Sequence, residues 1–326
     1  VSEAVDAQVG VVAIGRNEGD RLKKCLASAI ARANVVVYVD SGSTDGSAEV
    51  ARAMGAWVAP LDLATPFTAA RARNQGLRML REQSSAPFVQ FVDGDCELAP
   101  GWIQTAVAAL RDDPRLAVAC GRRRERFPAA SLYNRLCDLE WDTPVGQARA
   151  CGGDALMRVA ALSEVGGFDG GLIAGEEPEL CYRLRQRGWT IARLDHEMTL
   201  HDAAMTRFSQ WWRRSKRAGH AYAEHAYLHG SERERLGVHE TVSNLAWTTV
   251  AGAAVVAPPL APAFAGAVLA TALKIWRQQR RRGWPARQAW LYAASCMASK
   301  IPQSVGAASF AWRRLARRPR VLIEYK

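Results

Sequence analysis

Asp93 and Asp95 stand one residue apart at the end of an apolar run, "FVQFVDGD". Two carboxylates that close repel each other unless something positive lies between them. The β-branched and aromatic content of the run reads as a strand. On one reading Asp93-Gly94 is a turn and its charges are solvated. On the other the carboxylates hold a divalent cation at the C-terminal edge of a sheet, where α/β proteins bind ligands. Two earlier apolar runs end in similar polar loops, Gly15-Arg16-Asn17-Glu18-Gly19 and Asp40-Ser41-Gly42-Ser43-Thr44-Asp45-Gly46. In a parallel sheet such ends lie side by side, so three polar loops would converge on one crevice. Each loop alone is ordinary turn chemistry, and "DSGSTDG" also suits the N-cap of a helix starting at Ser47.

The elements that must position these residues alternate along the first 120 positions. Strand patterns fall at 9–14, 35–39, 57–59, 88–92 and 116–119, and helix patterns at 21–31, 47–54, 69–82 and 101–111. This alternation predicts an α/β fold, a mainly parallel Rossmann-like sheet with helices on both faces and right-handed crossovers. Near Arg122 the regularity breaks down. A less regular section follows to about Asp202, with glycine pairs at Gly152-Gly153 and Gly166-Gly167. The expected organisation is a catalytic domain over 1–205, split into halves at 1–120 and 121–205. A helical linker at 206–240 and a C-terminal helical region at 241–326 follow.

Charge separates these parts. The net +11 arises wholly after position 200, where 20 Lys and Arg face 6 Asp and Glu. Residues 241–273 carry no charge, yet Pro258, Pro259 and Pro262 interrupt them. Three prolines are costly inside one helix, so two helices joined by a proline turn fit better than one straight span. The basic run Lys274 to Arg282 comes directly after, and such residues beside an apolar segment normally stay cytoplasmic. A second mostly apolar stretch at 287–312 holds Trp290, Tyr292, Phe310 and Trp312, and Arg313, Arg314, Arg317, Arg318 and Arg320 follow it. The expectation is a membrane-associated hairpin and a basic amphipathic tail, with membrane lipids as partners. A nucleic-acid partner is disfavoured, because the basic residues flank apolar segments and do not cover the folded domain. The seven cysteines show no metal or redox spacing, which fits a reducing cytosol. Residues 1–8 are short and polar and do not read as a signal peptide.

In order and spacing, "VVAIGRNEGDRLKKCLASAI", "VVVYVDSGSTDGSAEVA", "ARARNQGL" and "FVQFVDGDCELAPGW" resemble the nucleotide-binding half of family 2 glycosyltransferases with the GT-A fold. "CGGDALMRVAALSEVGGFD" and "GEEPELCYRLRQRGWTI" resemble the acceptor-side half, where Gly152, Gly153 and Asp154 fall. The resemblance covers about 9–202 and implies inverting transfer from a nucleotide-diphosphate sugar of UDP or GDP type, helped by Mg²⁺ or Mn²⁺. Asp95 then matches the metal-binding carboxylate and Asp93 its partner near ribose and metal, with Gly94 between them. Asp40 and the loop Gly15, Arg16, Asn17 and Glu18 match positions that hold base and ribose. Ser41 stands where many relatives carry a second aspartate. Arg73-Asn74 matches a pair beside the nucleotide, and His201 a histidine near metal and diphosphate.

Glu176-Glu177 matches an acidic pair before a helix, of which the second member is the general base. Pro178 suits a helix start there. Gln210-Trp211-Trp212-Arg213-Arg214 is similar to the Gln-x-x-Arg-Trp signature of processive synthases, with Arg214 in place of the last tryptophan, and Trp211 and Trp212 would face the acceptor. The implied enzyme acts on a glycan or lipid-linked acceptor at the cytoplasmic face of the inner membrane, in bacterial surface or exopolysaccharide synthesis. The alternatives are a sugar-nucleotide pyrophosphorylase, which would want a glycine-rich phosphate loop where this chain has "IGRNEG", and a non-catalytic membrane scaffold with a degenerate transferase domain.

Overall fold

Val11, Val12 and Ala13 on the first strand have no exposed surface, as parallel strands covered on both faces require. The computed structural model describes residues 6–317 apart from Leu63 and Pro66. It forms two compact units, Val1–Phe127 with Trp141–Ala203, and Pro128–Glu140 with Ala204–Lys326.

The first unit begins β1 (Asp6–Gly15), α1 (Asp20–Ile30), β2 (Ala33–Asp40), α2 (Ser47–Ala53), β3 (Trp57–Pro60), α3 (Ala69–Gln83) and β4 (Phe88–Asp93). It continues with β5 (Cys96–Leu98), α4 (Trp102–Asp112) and β6 (Leu116–Glu125). After α5 (Leu132–Glu140), which belongs to the other unit, come β7 (Gly146–Gln147), β8 (Ala155–Arg158), α6 (Val159–Val165), α7 (Glu176–Gln186) and β9 (Thr190–His201).

The sheet runs β3-β2-β1-β4-β8-β6-β9-β5, with β7 on β9. Strands β1 to β4 are parallel to one another, as the alternation predicts. The remainder is mixed, because β8 pairs antiparallel with both β4 and β6, and β5 and β7 pair antiparallel with β9. The strand expected at 116–119 extends to Glu125, since "GRRRE" finds partners along β9 although it is polar. The helix at Ser47 is capped by Gly46 in the left-handed region, while Asp45 accepts from the Ser47 amide and hydroxyl.

The order of strand addition reverses between β1 and β4, the switch point where open α/β sheets bind ligands. In register, Gly15 pairs with Asp40 and Ile14 with Asp93, so the three polar loops leave one edge together. Gly76 on α3 sits so close to Val12 that a Cβ would collide with it. This tight packing of α3 on β1 sets the height of Arg73 above the sheet edge.

The second unit is helical: α5, α8 (Phe208–His229), α9 (Val238–Val256), a 3₁₀ turn (Pro258–Leu260), α10 (Ala261–Arg281), α11 (Ala286–Ala298) and α12 (Lys300–Leu315). Residues 208–229, expected as a linker helix, form part of this unit's body. Helices α8 and α12 approach so closely that a Cβ on Gly219 or Gly306 would collide with a carbonyl of the facing helix. Its small core joins Leu139 of α5 to Trp284 and Ala289, so 128–140 leaves the contiguous half expected at 121–205. The proline turn between α9 and α10 is present. The helix Pro258–Arg281 is by length and composition apolar enough to cross a membrane, an 18-residue window within it having a mean hydropathy of 1.4. The amphipathic stretch at 287–312 is broken into α11 and α12. Arg318 and Arg320 of the basic tail lie outside the described residues.

Candidate active site

The site is assembled where β1, β2 and β4 end. Asp40 closes its own loop, its Oδ2 accepting from the amides of Gly42 and Ser43 and its Oδ1 from the Tyr38 hydroxyl. Asn17, at φ 56°, stitches the first loop to the second. Its amide donates to Ser43 Oγ and its Oδ1 accepts from the Thr44 amide. Ser41 is buried and its amide donates to the Gly15 carbonyl. Arg16 lies over the Phe67 ring, 4.8 Å from its centroid, and Glu18 pairs with Arg21 at 2.8 Å. The Gly94 amide donates to the Ile14 carbonyl, fixing the turn between the two aspartates.

That turn sends the two carboxylates into different surroundings. Asp93 Oδ1 meets Arg73 Nη2 at 2.9 Å and its Oδ2 faces Arg123 Nη2 at 3.5 Å. Beneath it, Asp154 is 0% exposed. Asp154 accepts from the Asp93 amide and the Thr199 hydroxyl and pairs with Arg123 at 2.8 Å, and these partners compensate a carboxylate held away from water. Asp95 turns the other way, its Oδ2 3.2 Å from His201 Nε2, and both residues are buried. Glu125 faces the other side of the ring, 3.6 Å from Nδ1. The Trp141 ring stands edge-on to His201 at 4.7 Å. The acidic pair is therefore divided: Asp95 and His201 stand together, whereas both oxygens of Asp93 are engaged by arginines. Among the described residues, two sets of side chains have ligand atoms close enough to share an ion, Asp95 with Cys96 and His201, and Asp93 with Cys96 and Asp154.

Glu176 and Glu177 open α7 behind Gly175, whose φ of 77° lets the chain turn sharply into the helix. Arg73 reaches both glutamates, its Nη1 lying 2.8 Å from Glu176 and 2.9 Å from Glu177. One buried guanidinium thus joins Asp93 on β4 to the acidic pair on α7. The Glu177 carboxyl is pushed up to about 7, first by burial and then by Glu176, against the lowering effect of Arg73. Gly153 is where the loop before β8 crosses this hub. A Cβ there would lie 2.7 Å from both Arg73 Nη2 and Asp93 Oδ2. Gly152 beside it faces open space.

Three expected residues have other partners. Asn74 is spent on structure, exchanging hydrogen bonds with the Phe168 amide and carbonyl. Trp211 and Trp212 belong to α8 in the second unit, and Trp211 is buried with Phe208 5.5 Å away. Sequence reading missed Arg123, Glu125 and Thr199. Their signal was the two-residue period in "RRRE", which puts Arg123 and Glu125 on one face of a strand. The β6–β9 register then sets Arg123 opposite Thr199 and Glu125 opposite His201.

A crevice of this kind, with loops from β1, β2 and β4 facing a helix that starts with acidic residues, has the form of a GT-A fold. Residues 11–161, a little under half of the chain, match the family described as Glycosyl transferase family 2. Glycosyltransferase AglE of Haloferax volcanii is 24% identical over 208 residues, covering 60% of this chain and 67% of that protein. The pre-mycofactocin glycosyltransferase of Mycobacterium tuberculosis is 28% identical over 174 residues, 49% of this chain and 35% of that one. This chain therefore spans about a third of that longer relative. Among solved structures, mannosyltransferase PcManGT from Pyrobaculum calidifontis, in complex with GDP-Man and Mn²⁺, shares the fold. Its TM-score is 0.61 at 21% identity, covering 94% of this chain and 88% of that one.

Proposed function

We propose that this protein is a glycosyltransferase that moves a sugar from a nucleotide diphosphate to an acceptor hydroxyl with inversion, in one in-line displacement. The observation that supports this reading most is the Arg73 hub, which ties the donor-side carboxylate Asp93 to Glu177 on the facing helix. Glu177 accepts the proton of the acceptor hydroxyl. It must be ionised to do so, and Arg73 favours that form. Asp93 and the closed Asp40 loop orient the nucleoside, with Arg123 and Asp154 holding Asp93 in place.

Asp95 and His201 would hold the cation. A carboxylate oxygen and an imidazole nitrogen 3.2 Å apart in a buried pocket form a donor set that suits Mn²⁺ and, through the oxygen, Mg²⁺. When bound, the ion neutralises the diphosphate and stabilises it as leaving group.

The acceptor in this reading is a glycan or a lipid-linked intermediate of a surface polysaccharide, met at the cytoplasmic face of the inner membrane. Support comes from the second unit, where Val255 and Val256 beside the proline turn are 82% and 86% exposed. Lys274 and Arg277 to Arg282 lie at the far end of α10 from that turn.

A panel of UDP- and GDP-sugars, beginning with GDP-mannose because the PcManGT complex contains it, tests the proposal with and without Mn²⁺. One donor should bind in a metal-dependent way, and NMR of the product should show the opposite anomeric configuration. Retention would rule out the single displacement, and failure of every donor would rule out the donor class.

A further inference from the structure

Cys151 and Cys181 lie with their sulfurs 3.6 Å apart in the interior of the first unit. All seven cysteines carry free thiols. This pair is distinguished by what it joins. Cys151 directly precedes Gly152-Gly153, the loop that crosses Arg73 and Asp93. Cys181 lies on α7, the helix whose first turn carries Glu176 and Glu177. We propose that Cys151 and Cys181 form an oxidation site, closing to a reversible disulfide that locks the loop over Asp93 to the helix bearing Glu177.

The geometry is close to what the bond needs. A disulfide holds its sulfurs about 2.05 Å apart, so closure requires roughly 1.5 Å of approach. Gly152 is exposed and meets nothing within 4 Å of where a side chain would begin, so the loop has room for that shift. The two thiols are also unequal. Hydrogen bonding from Cys151 holds the Cys181 thiol below its ordinary range, and Cys151 is correspondingly pushed up. Cys181 is then the nucleophile of the pair.

The oxidant is hydrogen peroxide, small enough to enter beside Cys151, which keeps 8% of its surface exposed, and reach the enclosed Cys181 as the loop moves. The Cys181 thiolate attacks one peroxide oxygen, the O–O bond breaks, and the departing hydroxide takes a proton to become water. The Cys151 sulfur then attacks the sulfenic sulfur, its thiol proton leaving with the displaced hydroxyl as a second water. Two thiols are oxidised, one peroxide is reduced, and a dithiol reductant reverses the change.

The test treats the intact chain with dilute peroxide, blocks the remaining thiols in denaturant and maps the peptides. We expect one linked peptide joining Cys151 to Cys181 and the loss of two of seven thiols. Hydrogen exchange across residues 151–154 should slow by roughly tenfold, since a cross-link raises the cost of local opening, and dithiothreitol should restore it. Cys151→Ala and Cys181→Ala should each abolish both signals, and the wild-type peptide map stands even if a variant folds poorly. Absence of the linked peptide while other cysteines oxidise would overturn the site. Complete linkage with unchanged exchange at 151–154 would overturn the lock.

Discussion

Arg73 is held by three carboxylates, and that arrangement decides how Glu177 titrates. Buried beside Glu176, the Glu177 carboxyl rises from 4.5 to about 7, with Arg73 opposing the rise. A general base must be ionised, so activity should climb as pH passes through about 7. Arg73→Met removes the opposing charge and should move that limb to higher pH in a kcat/KM profile. An unmoved limb would mean that another group sets it. Stability carries the opposite sign. Because the folded pKa lies above the unfolded one, the native state binds the extra proton between 4.5 and about 7, and stability falls as pH rises through that window. Urea titrations from pH 4.5 to 7.5 should show this fall shallower in Glu177→Gln than in the native chain. Asp93, Asp95 and the acidic pair were legible as residues because two carboxylates one apart, or adjacent before a proline, demand an explanation. Of their partners, Arg73, Asp154 and His201 were named in sequence, but Arg123 was not. Arg123 reaches Asp93 and Asp154 from β6, 30 or more residues from either of them in the chain.

At the scale of elements, the four parallel strands were readable because β1, β2 and β4 are apolar runs ended by glycine or aspartate and β3 is a short apolar run ended by Pro60. The three-residue β5 was not, since "CEL" has no period of its own and becomes a strand by pairing with β9. The polar end of β6 was likewise invisible, because ladder hydrogen bonds and not side-chain burial make it a strand. Helix α8 reads as a linker in sequence, yet Gly219 and Gly306 allow close packing with α12 that no local pattern announces. The loop at Gly153 offers a test at this scale. In Gly153→Ala the new methyl would lie 2.7 Å from Arg73 and from Asp93. Overpacking of that kind costs about 1–3 kcal/mol. Donor affinity measured by calorimetry should fall, whereas Gly152→Ala, which meets open space, should bind nearly as the native chain does. Equal behaviour of the two variants would mean that the loop does not register on the hub.

For the whole molecule, the charge asymmetry seen in sequence corresponds to a division in structure: a near-neutral α/β unit and a basic helical one. The boundary itself was not legible, because 128–140 joins the helical unit through Leu139, Trp284 and Ala289, contacts distant in sequence. The proposed membrane attachment through the α9–α10 turn makes a direct prediction. Val255 and Val256 are so exposed that glutamate at both positions leaves folding in water intact. The double substitution should weaken sedimentation with anionic vesicles by about tenfold or more, since an acidic side chain entering the bilayer costs several kcal/mol. Undiminished binding would place the contact elsewhere on the chain.

The assignment of the two halves of the hub to donor and acceptor is tested most directly by separating binding from transfer in Glu177→Gln. Calorimetry with the identified donor and Mn²⁺ should give an affinity within a few-fold of the native chain. Transfer should fall by roughly a hundredfold or more, the size of a general-base effect. Glu176→Gln, measured alongside, should retain most of its transfer activity. Near-normal transfer in Glu177→Gln with a crippled Glu176→Gln would contradict the assignment and hand the base to the other carboxylate.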